Sequence, residues 1–291
     1  MSRVALALVW LAHFLPSRAI AALGSALGAL AFWLIPERRR VTRINLEKCF
    51  PQMAPAARER IARDHFRAAG RSIFDLGLIW WAPRERVERF VRVEGLEYLR
   101  ALGATPSILL APHFVGVDIG GSRLGGNVNM VSMYAVQKDP VMSEMLLHGR
   151  RRFGTHKLVS RQQGIRAVIS GMREGLPFYY LPDQDYGPRD AVFVPFFGIQ
   201  TATVPGLSRI ARLVNARILP CSTRMLAPGE GYLLTIEPPW ENFPTADIAA
   251  DTRRMNEYIE RKVLEMPEQY LWMHKRFKTR PPGESSFYPK D

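Results

Sequence analysis

The sequence predicts an α/β domain, a mixed central sheet flanked by helices, preceded by an apolar helical segment suited to membrane anchoring. Three observations carry this. Short apolar runs alternate with stretches of helical periodicity through the second half of the chain. The opening stretch is almost wholly apolar and ends on a run of arginines. And 291 residues, 47% hydrophobic and 23% charged, suffice for a sizeable core and are too apolar for a disordered chain.

From Val4 to Pro36 the apolar segment is broken only at His13 and at Ser17-Arg18. As a helix, Ala19 to Ile35 rises roughly 25 Å, slightly under a ~30 Å bilayer core. It suits a marginal crossing, or one arm of a hairpin bent at Pro16. Gly24 and Gly28 stand four apart, a spacing that admits close helix packing and also arises by chance. Arg38, Arg39, Arg40 and Arg43 follow at once, and such a cluster stays on the cytoplasmic side. A cleavable secretory signal would be shorter, with its basic residues on the other flank. The competing reading is a buried amino-terminal helical pair. The expected division is residues 1–36 as the anchoring segment and 37–291 as one domain.

Pro55 then opens a helix carrying Ile61, Phe66, Ala69, Ile73 and Leu76 through to Trp80-Trp81. Expected strands are Ser107–Ala111, Met130–Met133, Phe178–Leu181, Arg217–Thr223 and Tyr232–Ile236. Expected helices are Pro140–Phe153, Gly164–Glu174 and Thr203–Val214. A last one places Met255, Ile259 and Val263 four apart and stops at Pro267. No internal repeat or Ser/Gly linker interrupts the pattern.

The charge is less ordinary. Forty Lys+Arg against 27 Asp+Glu give +13, which suits an anionic membrane face, an acidic protein or another polyanion, or simply a basic soluble surface. Nucleic acid lacks support, since zinc-finger spacing, aromatic RNA-binding motifs and long basic helices are missing. Cys49 and Cys221 are too few for a disulfide framework, in agreement with a reducing compartment.

Chemistry concentrates in "APHFVGVDIGG", residues 111 to 121. His113 falls where a strand ends, and ligands of open α/β sheets gather at such carboxyl ends. A histidine is the usual general base near neutral pH, and a carboxylate on its other nitrogen fixes the tautomer and supports the cation. Asp118 is the expected partner. Five residues on one helix differ by about 140° in direction, so the pair needs His113 in the loop and Asp118 in the first helical turn. By spacing alone, a hydrogen-bonded structural histidine fits as well. The chain has no G-x-S-x-G elbow, HExxH helix, P-loop or dinucleotide fingerprint. What survives is direct transfer, in which a base deprotonates a hydroxyl that attacks an activated acyl group.

"APHFVGVDIGG", "LPDQDYGPRDAVFVPFFG", "PEQYLWMHKRFKTRPPGE" and the upstream "RRRVTRINLEKCFP" together resemble the bacterial lipid A biosynthesis acyltransferases, the late lauroyl/myristoyl enzymes of the lysophospholipid acyltransferase superfamily. The four blocks stand in the expected order along nearly the whole chain. The resemblance implies a glycerolipid-acyltransferase-like sheet and a reaction without metal or redox cofactor. An acyl chain passes from acyl carrier protein to a hydroxyl of a Kdo-bearing lipid A precursor, at the cytoplasmic face of the inner membrane. Many members carry glutamate where Asp118 stands, so the reach of this carboxylate to His113 is the open point.

The same resemblance assigns the remaining candidates. Arg150 is the expected headgroup-binding arginine, with Arg151 beside it in "HGRRRFGTHK"; a solvated basic helix end is the alternative. Asp183 and Asp185 follow another strand exit. Asp183 matches a functionally needed aspartate and is expected to hold an arginine of the cluster, whereas loop capping would explain both aspartates. Arg276, in "HKRFKTRP", is expected to make a structural or headgroup contact, with His274 as a packing or loop residue. That basic stretch suits the acidic donor protein, a phosphate or bulk water. "VFVPFFG" (Val192 to Gly198) suits an acyl groove or the core equally. Two rival functions are an acyltransferase for another glycolipid or lysophospholipid, from the same donor or acyl-CoA, and a non-catalytic protein bound to anionic membrane.

Overall fold

The structure is a computed structural model and describes residues 2–288. Four helices come first: α1 (Ser2–Ala12), α2 (Ser17–Leu34), α3 (Pro36–Cys49) and α4 (Pro55–Trp81). Proline occupies the first turn of both α3 and α4, where its missing N–H costs nothing. Then follow α5 (Arg84–Phe90), β1 (Val91–Glu94), α6 (Leu96–Ala101), β2 (Ser107–Leu110), α7 (Val117–Leu124), β3 (Val131–Tyr134), α8 (Pro140–Arg151) and β4 (Lys157–Ser160). The remainder is α9 (Ile165–Arg173), β5 (Phe178–Tyr180), β6 (Val192–Phe196), β7 (Ile199–Thr203), α10 (Gly206–Val214), β8 (Arg217–Met225), β9 (Tyr232–Ile236) and α11 (Ile248–Glu265).

Seven strands form one sheet in the order β1-β9-β8-β2-β5-β3-β4. Only β8 and β9 run antiparallel, so the sheet is mixed, as expected. All four residues of β2 are buried, which fits its place at the centre with helices over both faces. The five expected strands are all present within two residues. The two sheet strands the pattern missed, β1 and β4, are the sheet's edges. There Arg92, Glu94, Lys157 and Ser160 break the apolar run because one side of each strand meets solvent.

The "VFVPFFG" stretch forms β6 and the turn into β7, a two-stranded hairpin outside the main sheet. Pro195 is tolerated because this ladder has an open edge. Phe196 is fully buried and packs with Tyr270 and Phe277 in the main core, so this part of the run is core.

Helices α1 and α2 pack against α4. Helix α2 lies along α4, and Phe32 belongs to the main core, edge-on to Phe66 at 5.2 Å. Gly24 and Gly28 are what let it approach: a Cβ on Gly28 would fall 2.1 Å from the Phe66 carbonyl oxygen, and one on Gly24 2.6 Å from the Arg71 Cα. Gly70 answers from α4, with Gly24's carbonyl oxygen 2.2 Å from where its Cβ would be. The small-residue spacing is therefore a packing motif.

Candidate active site

Strands β2 and β5 are parallel neighbours in the register Leu110↔Tyr180. Each is followed by one apolar residue, a proline and a functional residue: Ala111-Pro112-His113 after β2, Leu181-Pro182-Asp183 after β5. Ala111 N–H still donates to the Tyr180 carbonyl at 2.8 Å, so the two exits stay paired as they leave the sheet. Three residues on, the side chains meet. His113 Nδ1 lies 2.7 Å from Asp183 Oδ1, and the His113 backbone N–H also donates to that carboxylate, at 3.0 Å to Oδ2.

Asp183 is 2% exposed. Burial alone would raise its pKa, but the charge and hydrogen bonds of His113, with Arg276 nearby, outweigh that and hold it below the ordinary aspartate value. An ionised carboxylate only accepts, so in the neutral imidazole Nδ1 carries the proton and Nε2 the lone pair. The histidine side chain is 17% exposed while its partner is covered, so the imidazole alone reaches outward.

The carboxyl-terminal "PEQYLW" stretch clamps this loop from the other side. His113 O accepts from Leu271 N–H at 3.1 Å, Val115 N–H donates to Gln269 O at 2.9 Å, and the Phe114 ring meets Tyr270 edge-on. Trp272 donates its indole N–H to Pro267 O at 2.6 Å and is buried, which locks the clamp into the core.

As expected, His113 lies in the loop and Asp118 in the first turn of α7. The expected hydrogen bond between them is replaced, however. Asp118 accepts from Arg150 Nε at 3.0 Å and Nη2 at 2.5 Å, both on Oδ1, while Asp183 takes the histidine. The two aspartates have exchanged the partners expected of them. The reason is topological: a parallel register brings residue 183 beside residue 113, whereas α8 comes alongside α7 and lays Arg150 over its first turn. The Asp118–Arg150 pair is half-buried, and Oδ2 makes no hydrogen bond among the described residues.

The rest of the basic cluster divides. Arg151 is exposed. Arg152 turns inward and caps the end of α4 through Ile79 O, at 2.6 Å, and Ala82 O. Lys157 pairs with Glu174. A cavity of about 40 Å³ beside the pair is lined by Asp118, Arg150, Val117, Met133, Tyr179 and His156. It is the size of a water or two rather than of an acyl chain. His156 faces it with a proton affinity lowered by burial and by Arg150. The motif reading left His156 out, although it sits inside "HGRRRFGTHK", six residues after Arg150.

Asp185 and Arg276, two further substrate-site candidates, are both engaged inside the protein. Asp185 is buried and accepts from Gly187 N–H at 2.9 Å, Thr279 N–H at 2.6 Å and the Thr279 hydroxyl at 2.8 Å, so it caps its own loop and ties it to the carboxyl-terminal segment. Arg276 is 3% exposed, donates to Ala202 O and Thr203 Oγ1, each at 3.0 Å, and lies 5.2 Å from the centre of the Phe196 ring. So enclosed, the guanidinium ties the β6–β7 hairpin to the carboxyl-terminal segment. Its neighbours are also engaged: Lys275 with Glu37, Arg280 with Glu284. His274 is the packing residue expected of it. Its Nε2 accepts from Asp185 N–H, and burial pushes its pKa down to about 4.

The arrangement presents an outward-facing imidazole with a carboxylate behind it, and an Asp118–Arg150 ion pair between α7 and α8. The family model for bacterial lipid A biosynthesis acyltransferases matches residues 3–279. The chain belongs to that family. This acyltransferase is 34% identical over 286 residues to the lipid A biosynthesis palmitoleoyltransferase of Escherichia coli (strain K12), covering 97% of this chain and 92% of that one. With the lauroyltransferase of the same organism the identity is 33% over 283 residues, covering 96% and 92%. Near-equal identity to two relatives named for different acyl chains means overall similarity does not select a chain for this acyltransferase. Among solved structures, the 1-acyl-sn-glycerophosphate acyltransferase of Thermotoga maritima aligns with a TM-score of 0.40 and 16% identity, over 86% of this chain and 99% of that one.

Proposed function

We propose that this lipid A acyltransferase takes its acyl group from acyl carrier protein and delivers it to a hydroxyl of a Kdo-bearing precursor, at the cytoplasmic face of the bacterial inner membrane. His113 is the general base and Asp183 its partner. The observation that carries this reading is the His113–Asp183 hydrogen bond, which commits Nδ1 and leaves Nε2 as the basic nitrogen.

In the reaction, Nε2 takes the proton of the acceptor hydroxyl as its oxygen attacks the thioester carbonyl carbon. The tetrahedral intermediate then collapses with cleavage of the C–S bond. The imidazolium returns its proton to the departing thiolate, so the histidine ends as it began. Asp183 offsets the positive charge while it lasts. Arg150, fixed by Asp118, offers a planar cation to an acceptor phosphate, with Arg151 beside it. Asp118 thus serves Arg150 in this scheme. The outward apolar residues of α1 and α2, next to the arginine run of α3, support membrane association.

The test is to incubate the purified enzyme with acyl carrier protein thioesters and a Kdo-bearing acceptor and weigh the products. Wild type should add one acyl mass, and His113→Ala should slow this roughly 10²–10⁴-fold. Wild-type rates in that variant would end the proposal. Transfer from acyl-CoA alone, or only to acceptors without Kdo, would reassign the donor or the acceptor.

A further inference from the structure

By length and composition α2 could cross a membrane by itself. Its attachments say otherwise, because both of its ends are held by the same folded body. At the amino-terminal end, Arg86 of α5 donates through Nη1 to His13 O at 2.6 Å and through Nη2 to Leu15 O, gripping the corner between α1 and α2. One residue into α2, Arg18 rests on the β8–β9 turn: a Cβ on Gly229 would fall 2.9 Å from the Arg18 backbone nitrogen. At the other end, Arg39 donates to Phe32 O, and α3 runs straight into the core, where Asn45 donates to Trp272 O at 2.7 Å. Eighteen residues of helix rise about 27 Å. A crossing would put Arg18 and Leu34 on opposite sides of the bilayer and pull the β8–β9 turn through with it.

The partner along its length makes the same point. Gly24 and Gly28 seat α2 against the α4 backbone at Phe66–Arg71, and α4 carries Arg67, paired with Asp64 one turn earlier, and Arg71 there. Ionised groups near the centre of a bilayer are strongly disfavoured. The other side of the hairpin is apolar and open: Leu11, Phe14, Leu23, Leu27, Leu30 and Trp33 are each 43–64% exposed. At the end of that stripe, Arg39 and Arg63 stand 5.4 and 5.6 Å from the Trp33 ring centre, and the arginine run of α3 continues from there. An apolar stripe ending in tryptophan and arginine matches the level where acyl chains give way to anionic headgroups.

We infer that the α1–α2 hairpin lies in the plane of one leaflet, its Leu23–Trp33 stripe sunk among the acyl chains and α4 carried on its inner side, so that the chain enters the membrane without crossing it. This rests on the membrane-associated reading above and decides its geometry. The active-site loops then stay on the same side of the bilayer as the amino terminus.

The test uses the full chain with an epitope tag fused ahead of residue 1, in right-side-out spheroplasts and in inverted inner-membrane vesicles. Added protease should remove the tag only from inverted vesicles, and removal from intact spheroplasts would overturn the inference. Recovery of the protein in the soluble fraction would sink the membrane reading itself, and the inference with it. A second measurement uses purified protein and vesicles of phosphatidylethanolamine with phosphatidylglycerol. Leu27→Asp combined with Leu30→Asp, both at exposed positions, should lower vesicle partitioning at least tenfold with an unchanged melting temperature. Undiminished partitioning would show that the stripe is not the buried face.

Discussion

His113 and Asp183 stand three residues beyond two hydrogen-bonded strand ends, and the parallel register pairing Leu110 with Tyr180 brings imidazole and carboxylate to 2.7 Å. The central strands thus set the distance between base and partner, and the "PEQYLW" clamp keeps the loop from drifting. Asp183→Asn keeps nearly the same shape but loses the negative charge and can present an N–H where Nδ1 needs an acceptor. We expect kcat to fall roughly 10²–10⁴-fold with little change in KM. Steady-state kinetics on the folded variant check this, and full activity would remove Asp183 from the mechanism.

Asp118 and Arg150 should behave as one unit. Asp118→Asn and Arg150→Gln are each expected to raise KM for a phosphorylated acceptor, and the double variant should be no worse than the weaker single within about threefold. Asp118→Glu keeps the ion pair and should retain most activity. A double-mutant cycle on kcat/KM decides. Additive losses, or a cycle coupling Asp118 to Asp183 instead, would return Asp118 to the histidine.

Arg276 is expected to matter to stability and not to substrate. Removing its guanidinium takes away a buried donor from the Ala202 carbonyl and the Thr203 hydroxyl oxygen. Arg276→Gln should cost about 2–4 kcal/mol of unfolding free energy, with KM unchanged below the new melting point. Denaturation in detergent and kinetics at low temperature separate the two. A raised KM at unchanged stability would make it a substrate contact.

Stability should depend on pH in a direction fixed by three histidines and one aspartate that burial perturbs. Burial pushes His65 and His274 down to about 4, below the ordinary ~6.5 of the unfolded chain. Between those values the unfolded state holds more protons, so each histidine contributes stability that is lost as pH falls. Asp75 acts oppositely: burial raises it to about 6, so the folded state gains protons first and is favoured as pH falls from there towards ~4. His156, lowered by burial and by Arg150, acts in the same direction as the other two histidines, so three groups against one leave a net loss of stability on acidification over roughly pH 4.5–6. Urea midpoints across that range test it. His65→Gln should flatten the slope and Asp75→Asn should steepen it.

Much of this molecule was legible in its residues. The five buried strands read correctly because a strand covered on both faces must be an unbroken apolar run. The edges β1 and β4 escaped because Arg92 and Lys157 face water, and β6 because Pro195 argues against a strand unless its ladder is known to have an open edge. Helix bounds held where a proline marks them, as at Pro55, Pro140 and Pro267. Family membership was also readable, since four motif blocks in order need no geometry.

Partner choice among the charged side chains needed the fold. Local spacing favours Asp118 for His113, five residues away, over Asp183, seventy residues away. Only the alignment of β2 with β5 makes the distant aspartate the neighbour, even though "APH" and "LPD" follow their strands with equal spacing. Burial likewise separates Arg150, whose guanidinium is partly open beside Asp118, from Arg276, whose identical group is enclosed against Phe196. The sequence by itself determined the elements, the chemistry on offer and the apolar stripe. Tertiary structure decided which carboxylate meets the imidazole and how α2 is held, because contacts between distant segments follow sheet register and helix packing and leave no local trace.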